Sequence, residues 1–198
     1  EAWLQHHGIS IDKSMVLDPQ NAQFPAPVTR RVGGFSFQDY RMLDYPFFID
    51  IRDEAMLADH PITVGLPQLT MSWASPIDVD ETGSEARDVQ RLIWSSSQSW
   101  RDSSPDVMPK LSGDVVEPYQ SDGEEGRQLL GVLVSGRFES FFDESPLLQE
   151  EVALVSEESE DGRIGDGENE NDGDAGPGTV SGVIKRSPES ARLLVFGS

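Results

Sequence analysis

A stretch of 27 residues that offers almost nothing to bury constrains this chain more than any other feature. Between Ser156 and Gly182, three residues are apolar, seven are glycine and nine are acidic, against a single basic residue. Such a segment cannot offset the entropy cost of its own ordering, because burial of apolar surface is the main favourable term in folding. We therefore expect residues 156–182 to form a mobile surface loop, and the core to come from residues 1–155 and 183–198.

The net negative charge of the chain argues against some classes of binding partner. The formal net charge is −21, of which residues 156–182 supply −8 and the rest of the chain supplies −13. Because both parts repel polyanions, the composition argues against binding of nucleic acid or of an anionic membrane surface. The sequence contains no cysteine, which excludes a thiol nucleophile, disulfides and thiolate metal sites. Its apolar runs are far shorter than the roughly 20 residues of a membrane-spanning helix.

The sequence lacks the motifs of a catalytic centre or a cofactor site. The histidines are His6, His7 and His60, and neighbouring histidines on a helix point to different faces and cannot share one metal ion. We expect all three to be structural or surface residues. The tract that begins at Gly34 lacks the closing glycine of a serine nucleophile elbow. Neither a phosphate-binding loop nor a dinucleotide-binding glycine motif occurs, so we do not expect this chain to bind ATP or a dinucleotide by those routes.

Two acidic loops partly match a calcium-binding loop of the EF-hand type, which needs a bidentate glutamate at its twelfth position. The matching residues, with the occupant of position twelve last, are Glu168, Glu170, Asp172, Gly173 and Thr179 in one loop and Asp78, Asp80, Thr82, Gly83 and Val89 in the other. Both loops lack the closing carboxylate. We therefore predict no catalytic, cofactor-binding or metal-ligating residues in this chain.

Apolar periodicity predicts a series of short elements. We expect a helix end before Gly8, strands at residues 15–17, 45–49, 69–73 and 89–95, a helical turn within 53–60, and an extended loop over the proline-containing residues 19–34. Residues 130–142 alternate between an apolar face and a face that becomes polar, which predicts a strand with one side in solvent. The compact apolar run from Leu193 to Phe196 is typical of a central parallel strand.

Aromatic residues are concentrated between Phe35 and Phe48. At this density aromatic rings more often build a core than a binding site, so we predict core packing for them. The alternative is a sugar-stacking groove that these rings line together with Trp73, Trp94 and Trp100.

Several phrases, taken in order, are similar to those of a known family. They are Gly8-Ile9 with Met15-Val16-Leu17-Asp18-Pro19, the tract from Asp59 to Leu66, Trp73-Ala74-Ser75-Pro76-Ile77, the tract from Gly131 to Phe142 and the tract from Ala191 to Ser198. This pattern resembles the auxiliary domain of ABC-type transport systems related to the gliding-motility protein GldG, with the acidic stretch outside it. The resemblance implies a piece of a larger extracytoplasmic domain that is membrane-anchored in the full-length protein. It also implies an integral-membrane permease and an ATPase subunit as partners, and it supplies no catalytic residue.

Together these observations predict an α/β fold, a mixed sheet with flanking helices that is part of a larger Rossmann- or flavodoxin-like domain. Its divisions would be an α/β auxiliary domain at residues 1–155, the acidic loop at 156–182 and a terminal strand at 183–198. The expected function is a non-enzymatic, extracytoplasmic accessory role in an export or gliding-motility-like ABC system, with binding of a partner or ligand. The alternatives are a carbohydrate- or envelope-binding module and a hydrolase or amidotransferase-like enzyme that pairs His60 with a serine and a carboxylate. We also expect such a piece to self-associate through its uncovered edge.

Overall fold

A computed structural model describes the chain in seven stretches: residues 1–80, 87–103, 106–109, 111–112, 115–121, 123–142 and 184–198. The chain divides into two units, residues 1–137 with 189–198, and residues 138–188. The acidic segment 156–182 and the calcium candidates from Glu168 to Thr179 lie outside the described stretches, so the mobility expected for that segment stays a prediction.

Strands dominate the described residues, where one five-residue helix and one 3₁₀ turn accompany twelve strands. The helix α1 spans Ala2–His6, and the 3₁₀ turn spans Asp53–Ala55. The strands are β1 Ile9–Ile11, β2 Met15–Leu17, β3 Asn21–Val32, β4 Phe35–Ile51, β5 Leu69–Ser72, β6 Ile77–Val79, β7 Asp88–Trp94, β8 Trp100–Asp102, β9 Leu111–Ser112, β10 Val115–Val116, β11 Leu129–Ser135 and β12 Arg192–Phe196.

The described strands pair only in the antiparallel sense. Two sheets have three strands, in the orders β3-β4-β5 and β12-β11-β7, and β1-β6, β2-β8 and β9-β10 form two-stranded ladders. The predicted α/β fold with flanking helices is therefore wrong. Parallel strands need crossover connections of a dozen or more residues, usually helical. The apolar runs of this chain are short and interrupted by its 18 glycines and 13 prolines, which suits short antiparallel strands instead.

The sheet β12-β11-β7 corrects two expectations. A strand does form at Arg192–Phe196, but it is antiparallel to β11, with Val195 opposite Val132, and it lies at an edge of the described sheet. The side chains of β11 are buried on both faces up to Ser135, so the predicted half-exposed strand is wrong. The strand also ends before Gly136, whose φ is 133°, and the alternation seen over residues 130–142 does not continue as one element.

Two clusters of buried side chains form the core of the first unit. The larger joins β2, β4, β5, β7 and β11 through residues that include Val16, Ile49, Leu92, Ile93 and Leu130, all at most 1% exposed. The smaller cluster is aromatic, and its buried members are Leu17, Tyr45, Phe47 and Trp100. Both clusters draw on β2 and β4, so these two strands fix the base from which the hairpin β3–β4 extends.

The second unit is described only at its two ends. Glu139 and Arg186 form an isolated antiparallel bridge, and their side chains form an ion pair with a Nε to Oε1 distance of 2.7 Å. The backbone N–H of Ser187 donates to the carbonyl of Phe138 at 2.9 Å. These contacts tie the two ends of the unit together.

Candidate binding surfaces

The outer half of the hairpin β3–β4 has almost no contact with the core. We call residues 27–42 the arm: fifteen of its sixteen residues are exposed and Val28 is partly buried. Pro27 pairs with Tyr40 and Val32 pairs with Phe35 at the far end. At about 3.3 Å per residue, the arm reaches roughly 20 Å from its base.

The turn of the arm is built from Gly33 and Gly34, with φ of 60° and 83°. Positive φ at both central positions is the requirement of the tight turn that matches strand twist in a hairpin. The prediction of an extended loop over residues 19–34 is therefore wrong. The glycine pair was the available signal, and the prolines that masked it lie on β3, an edge strand of the described sheet, where proline is tolerated because no neighbour needs its N–H.

Side chains of unusual character cover the arm. The exposed large apolar residues are Val32 (57%), Phe35 (71%), Phe37 (55%), Tyr40 (70%) and Met42 (53%). The arm also carries three arginines and one aspartate, a net charge of +2, which leaves −23 for the rest of the chain. The expectation that the aromatics of residues 35–48 pack in the core therefore holds for Tyr45 and Phe47 and is wrong for those on the arm.

A groove with a volume of about 600 Å³ lies at the base of the hairpin. Its lining includes Met42 and Leu43 of β4, Pro118 and Tyr119, and Trp100 of β8. Its charged side chains are Arg41, Asp44, Glu117 and Glu125. Three carboxylates against one guanidinium favour a ligand with positive charge.

An aromatic cluster supports the groove. The Tyr45 hydroxyl donates to the carbonyl of Val107 at 2.6 Å and accepts from the indole N–H of Trp73 at 3.1 Å. Burial, reinforced by Tyr45 and Asp106, raises the pKa of Tyr119 to about 12, and burial also raises the pKa of Tyr45. Both hydroxyls are therefore neutral donors at physiological pH. The buried indole N–H of Trp100 has no hydrogen-bond partner among the described residues.

A second, more polar cleft of about 720 Å³ lies between the 3₁₀ turn and the serine-rich loop after β7. Arg52 and Asp50 face it as an ion pair with a 2.6 Å contact. Asp53, also in its lining, has a φ of 46°, a conformation that costs energy for any residue with a side chain. The cleft thus combines fixed charges with a strained turn, which are features of a polar ligand site.

The serines beside this cleft are engaged in hydrogen bonds within the fold. Ser95 and Ser99 share a hydrogen bond between their hydroxyls, and Ser99 also bonds to the carbonyl of Gly126 at 2.7 Å. The hydroxyl and the backbone N–H of Ser96 both donate to the carboxylate of Asp18 at 2.7 Å. No histidine lines the cleft. Among the described lining residues, these hydroxyls therefore have no imidazole of the kind that commonly activates a serine nucleophile.

The structure places the histidines apart from both concave sites. His60 accepts the backbone N–H of Ile62 at its Nδ1, 3.2 Å away, and closes a turn. No described contact joins it to a serine or a carboxylate, as the hydrolase alternative requires. His7 is buried and packs edge-on against Trp3 at 4.8 Å. Burial, followed by the charges of His6 and Arg87, lowers the pKa of His7.

The candidate calcium residues of the second loop are only partly described. Asp78 lies on β6 and makes a 3.7 Å contact with Arg101, and the backbone N–H of Asp80 donates to the carbonyl of Gly8. Thr82 and Gly83 fall outside the described residues. Across the described stretches, no three His, Asp or Glu side chains come close enough to hold a metal ion. No helix in those stretches has the length and apolar character of a membrane span.

The described residues form antiparallel β-structure with an exposed hairpin and two concave surfaces. A family model described as an ABC-type uncharacterized transport system, for its auxiliary component, matches residues 1–172, and the chain belongs to this family. The match ends within the acidic segment, so residues 191–198, included in the resemblance above, lie outside it. No curated protein and no solved structure matches the chain. The chain is thus an auxiliary component of an uncharacterised ABC-type transport system.

Proposed function

We propose that this chain is a non-catalytic, extracytoplasmic accessory domain that binds a segment of a partner protein in the groove at the base of the hairpin. The integral-membrane permease is the proposed partner, and the ATPase subunit joins the complex through it. The observation that carries this proposal is the groove itself, an open concavity with aromatic and proline walls and an excess of carboxylates.

The lining of the groove indicates the kind of segment that it accepts. Met42, Pro118 and Tyr119 offer apolar surface. Glu117 and Glu125 carry negative charge, and Arg41 carries positive charge. An extended segment with apolar residues and one or two lysines or arginines would match both features. Such complementarity sets specificity and the rate of association more than affinity.

Co-purification of the chain with its permease and ATPase tests this proposal. We expect Glu117→Gln combined with Glu125→Gln to reduce the recovered permease at least tenfold, since both changes remove groove charges. The matched control is Asp88→Asn combined with Glu124→Gln, which removes the same charge from exposed sites outside the groove. Equal recovery with both double variants would contradict the groove as the binding site.

The location is tested separately. In cells whose outer layers have been made permeable, an extracytoplasmic domain is cleaved by added protease while the inner membrane is intact. Protection under these conditions, with cleavage after lysis, would contradict the extracytoplasmic proposal and leave the groove experiment unaffected.

The sugar-binding alternative has less support from the geometry. Stacking on a sugar needs a ring face open to solvent, but Trp100 in the groove is only 6% exposed. Among the described residues, the most exposed aromatic side chains, Phe35 and Tyr40, are on the arm and not in the groove. Binding of envelope glycans to the groove variants and to the unchanged protein can be compared in the same preparations.

A further inference from the structure

The tip of the arm presents an apolar group that no other part of the described chain covers. Val32 and Phe35 face each other across the turn, and Phe37 follows on the same face, paired with Arg30. More than half of each of these three apolar side chains is exposed. Exposure of such an apolar group to water is unfavourable, and exposed apolar patches commonly mark sites of interaction with a protein or a membrane.

Basic residues stand directly behind the apolar tip. Arg31 and Arg30 lie one and two residues before Val32 on β3, and on opposite faces of the hairpin. Arg41 and Tyr40 lie further back on β4. Asp39 is the one acidic residue of the arm. From the tip, Val32 and Phe35 form the first cross-strand pair, and Arg31 and Arg30 lie on the next two pairs, with Phe37 level with Arg30. Tyr40 lies three pairs further back.

This order matches the layers of a lipid surface, where acyl chains lie below charged headgroups and aromatic rings collect at the boundary. We propose that the tip of the arm binds an anionic lipid surface. Val32, Phe35 and Phe37 enter the boundary of the acyl chains, and Arg30 and Arg31 bind lipid phosphates. The inference goes beyond the proposed function, because the tip and the groove are separate surfaces.

The strong negative charge of the chain, which by itself argues against an anionic membrane, does not prevent this contact. The Debye length at physiological ionic strength is about 8 Å. An arm of roughly 20 Å holds the body of the first unit, as far as the structure describes it, more than two Debye lengths from a surface that the tip contacts. The repulsion of the body is therefore screened, while the +2 charge of the arm acts at contact.

A lipid surface fits the tip better than an acidic protein partner does. The apolar group occupies the extreme end of the hairpin and extends onto one face, whereas Arg30 and Arg31 point to both faces. A flat, laterally uniform partner can engage both faces at once when the hairpin enters end-on. A protein partner would have to enclose the tip in a deep pocket with acidic walls on two sides.

Sedimentation with protein-free vesicles tests the inference. The vesicles are phosphatidylglycerol mixed with phosphatidylcholine, and phosphatidylcholine alone. Each arginine near an anionic surface contributes about a fivefold gain in binding, so we expect Arg30→Gln with Arg31→Gln to weaken binding to the anionic vesicles roughly 20-fold. Phe35→Ser with Phe37→Ser should weaken it at least tenfold. Both effects should be absent from the matched controls, Lys13→Gln with Arg192→Gln and Val64→Ser with Met108→Ser.

A shortened hairpin gives a second measurement that does not depend on single side chains. Replacing residues 29–38 by Asn-Gly removes the tip and retains the part of the hairpin that contacts the core, and circular dichroism checks that the fold is kept. Binding of this variant to anionic vesicles at the level of the unchanged protein would overturn the proposal. So would equal binding to both vesicle types, or no binding to either. If neither vesicle type binds and the shortened hairpin loses the permease, the partner of the tip is a protein, and the groove is judged separately by Glu117→Gln with Glu125→Gln.

Discussion

Gly197 brings β12 against a neighbouring segment at a distance that only glycine permits. A Cβ at this position would lie 2.0 Å from the carbonyl oxygen of Ser75, and the backbone N–H of Ser75 donates to the Gly197 carbonyl at 2.7 Å. The backbone N–H of Gly197 also donates to Leu130. The glycine therefore joins the edge of one sheet to the loop that follows β5.

We expect Gly197→Ala to lower the free energy of unfolding by about 1–3 kcal/mol, because the clash is with backbone and cannot be relieved by a rotamer change. Denaturant unfolding followed by tryptophan fluorescence measures this. The control is Gly123→Ala, since a Cβ there meets nothing within 4 Å and the change should stay within about 0.5 kcal/mol. Equal free energies of unfolding for the two variants would show that the contact between Gly197 and Ser75 contributes nothing to stability.

Asp18 is a fully buried carboxylate that organises the serine-rich loop. It accepts the backbone N–H groups of Gln20 and Ser96 and the hydroxyl of Ser96. Asp18→Ala would leave these donors without an acceptor, and we expect a loss of about 3 kcal/mol in the free energy of unfolding. Glu124→Ala, which removes an exposed carboxylate, should change it little. A loss of stability well below 3 kcal/mol for Asp18→Ala would contradict this expectation and would mean that water replaces the carboxylate.

Little at the scale of single residues was predictable. Burial of Tyr45 and Phe47 followed from aromatic density, but the same argument failed for Phe35 and Phe37, because density says nothing about how far a hairpin extends from its core. The contacts of Asp18 with Ser96 span 78 positions. Such contacts depend on the whole topology and leave no local signal.

Short strands were the best predicted elements. The strands at residues 15–17, 69–72 and 88–94 were expected within one or two residues, because each is an apolar run bounded by turn residues. The hairpin was missed, since Pro25 and Pro27 suggested a loop. Proline excludes a central strand but not an edge strand, and edge position is decided by partners distant in the sequence.

The aromatic cluster beneath the groove should make stability depend on pH in alkaline solution. The ordinary pKa of tyrosine is 10.0, and burial raises that of folded Tyr119 to about 12. A raised folded-state pKa contributes stability that is complete below pH 10 and is lost as the pH rises towards 12. We expect the free energy of unfolding to fall over this window, and to fall less steeply in Tyr119→Phe. At pH 7 the variant should nearly match the unchanged protein, because the lost hydrogen bond is long, at 3.4 Å. If the free energy of unfolding falls equally with pH in both proteins, the alkaline loss of stability comes from groups other than Tyr119.

For the whole molecule, the family was predictable and the fold class was not. The ordered phrases around residues 15–19, 59–66 and 73–77 led to the transport-system family that the family model identifies. The α/β expectation rested on the family resemblance and on the run at residues 193–196, which is equally compatible with an antiparallel strand once its neighbours β11 and β7 are known. Periodicity within four residues cannot specify the direction of a partner strand. The expected self-association stays a prediction.

The net charge of −21 gives the last prediction, because it acts on the molecule as a whole. Like charges repel most strongly in the compact state, so an excess of one sign destabilises the fold. Raising the salt concentration from 0.01 M to 0.5 M shortens the Debye length from about 30 Å to well below 10 Å and screens that repulsion. We expect the melting temperature to rise by about 3–6 °C over this range, which corresponds to roughly 1–2 kcal/mol for a chain of this size.

A variant with residues 156–182 replaced by a short neutral linker separates the sources of this charge. It keeps a net charge of −13, so its melting temperature should still rise with salt, by a smaller amount. A neutral osmolyte at matched osmolality controls for effects of the solvent other than screening. If salt leaves the melting temperature of the full chain unchanged, local ion pairs such as Arg52 with Asp50 offset the repulsion, since screening weakens attraction and repulsion alike.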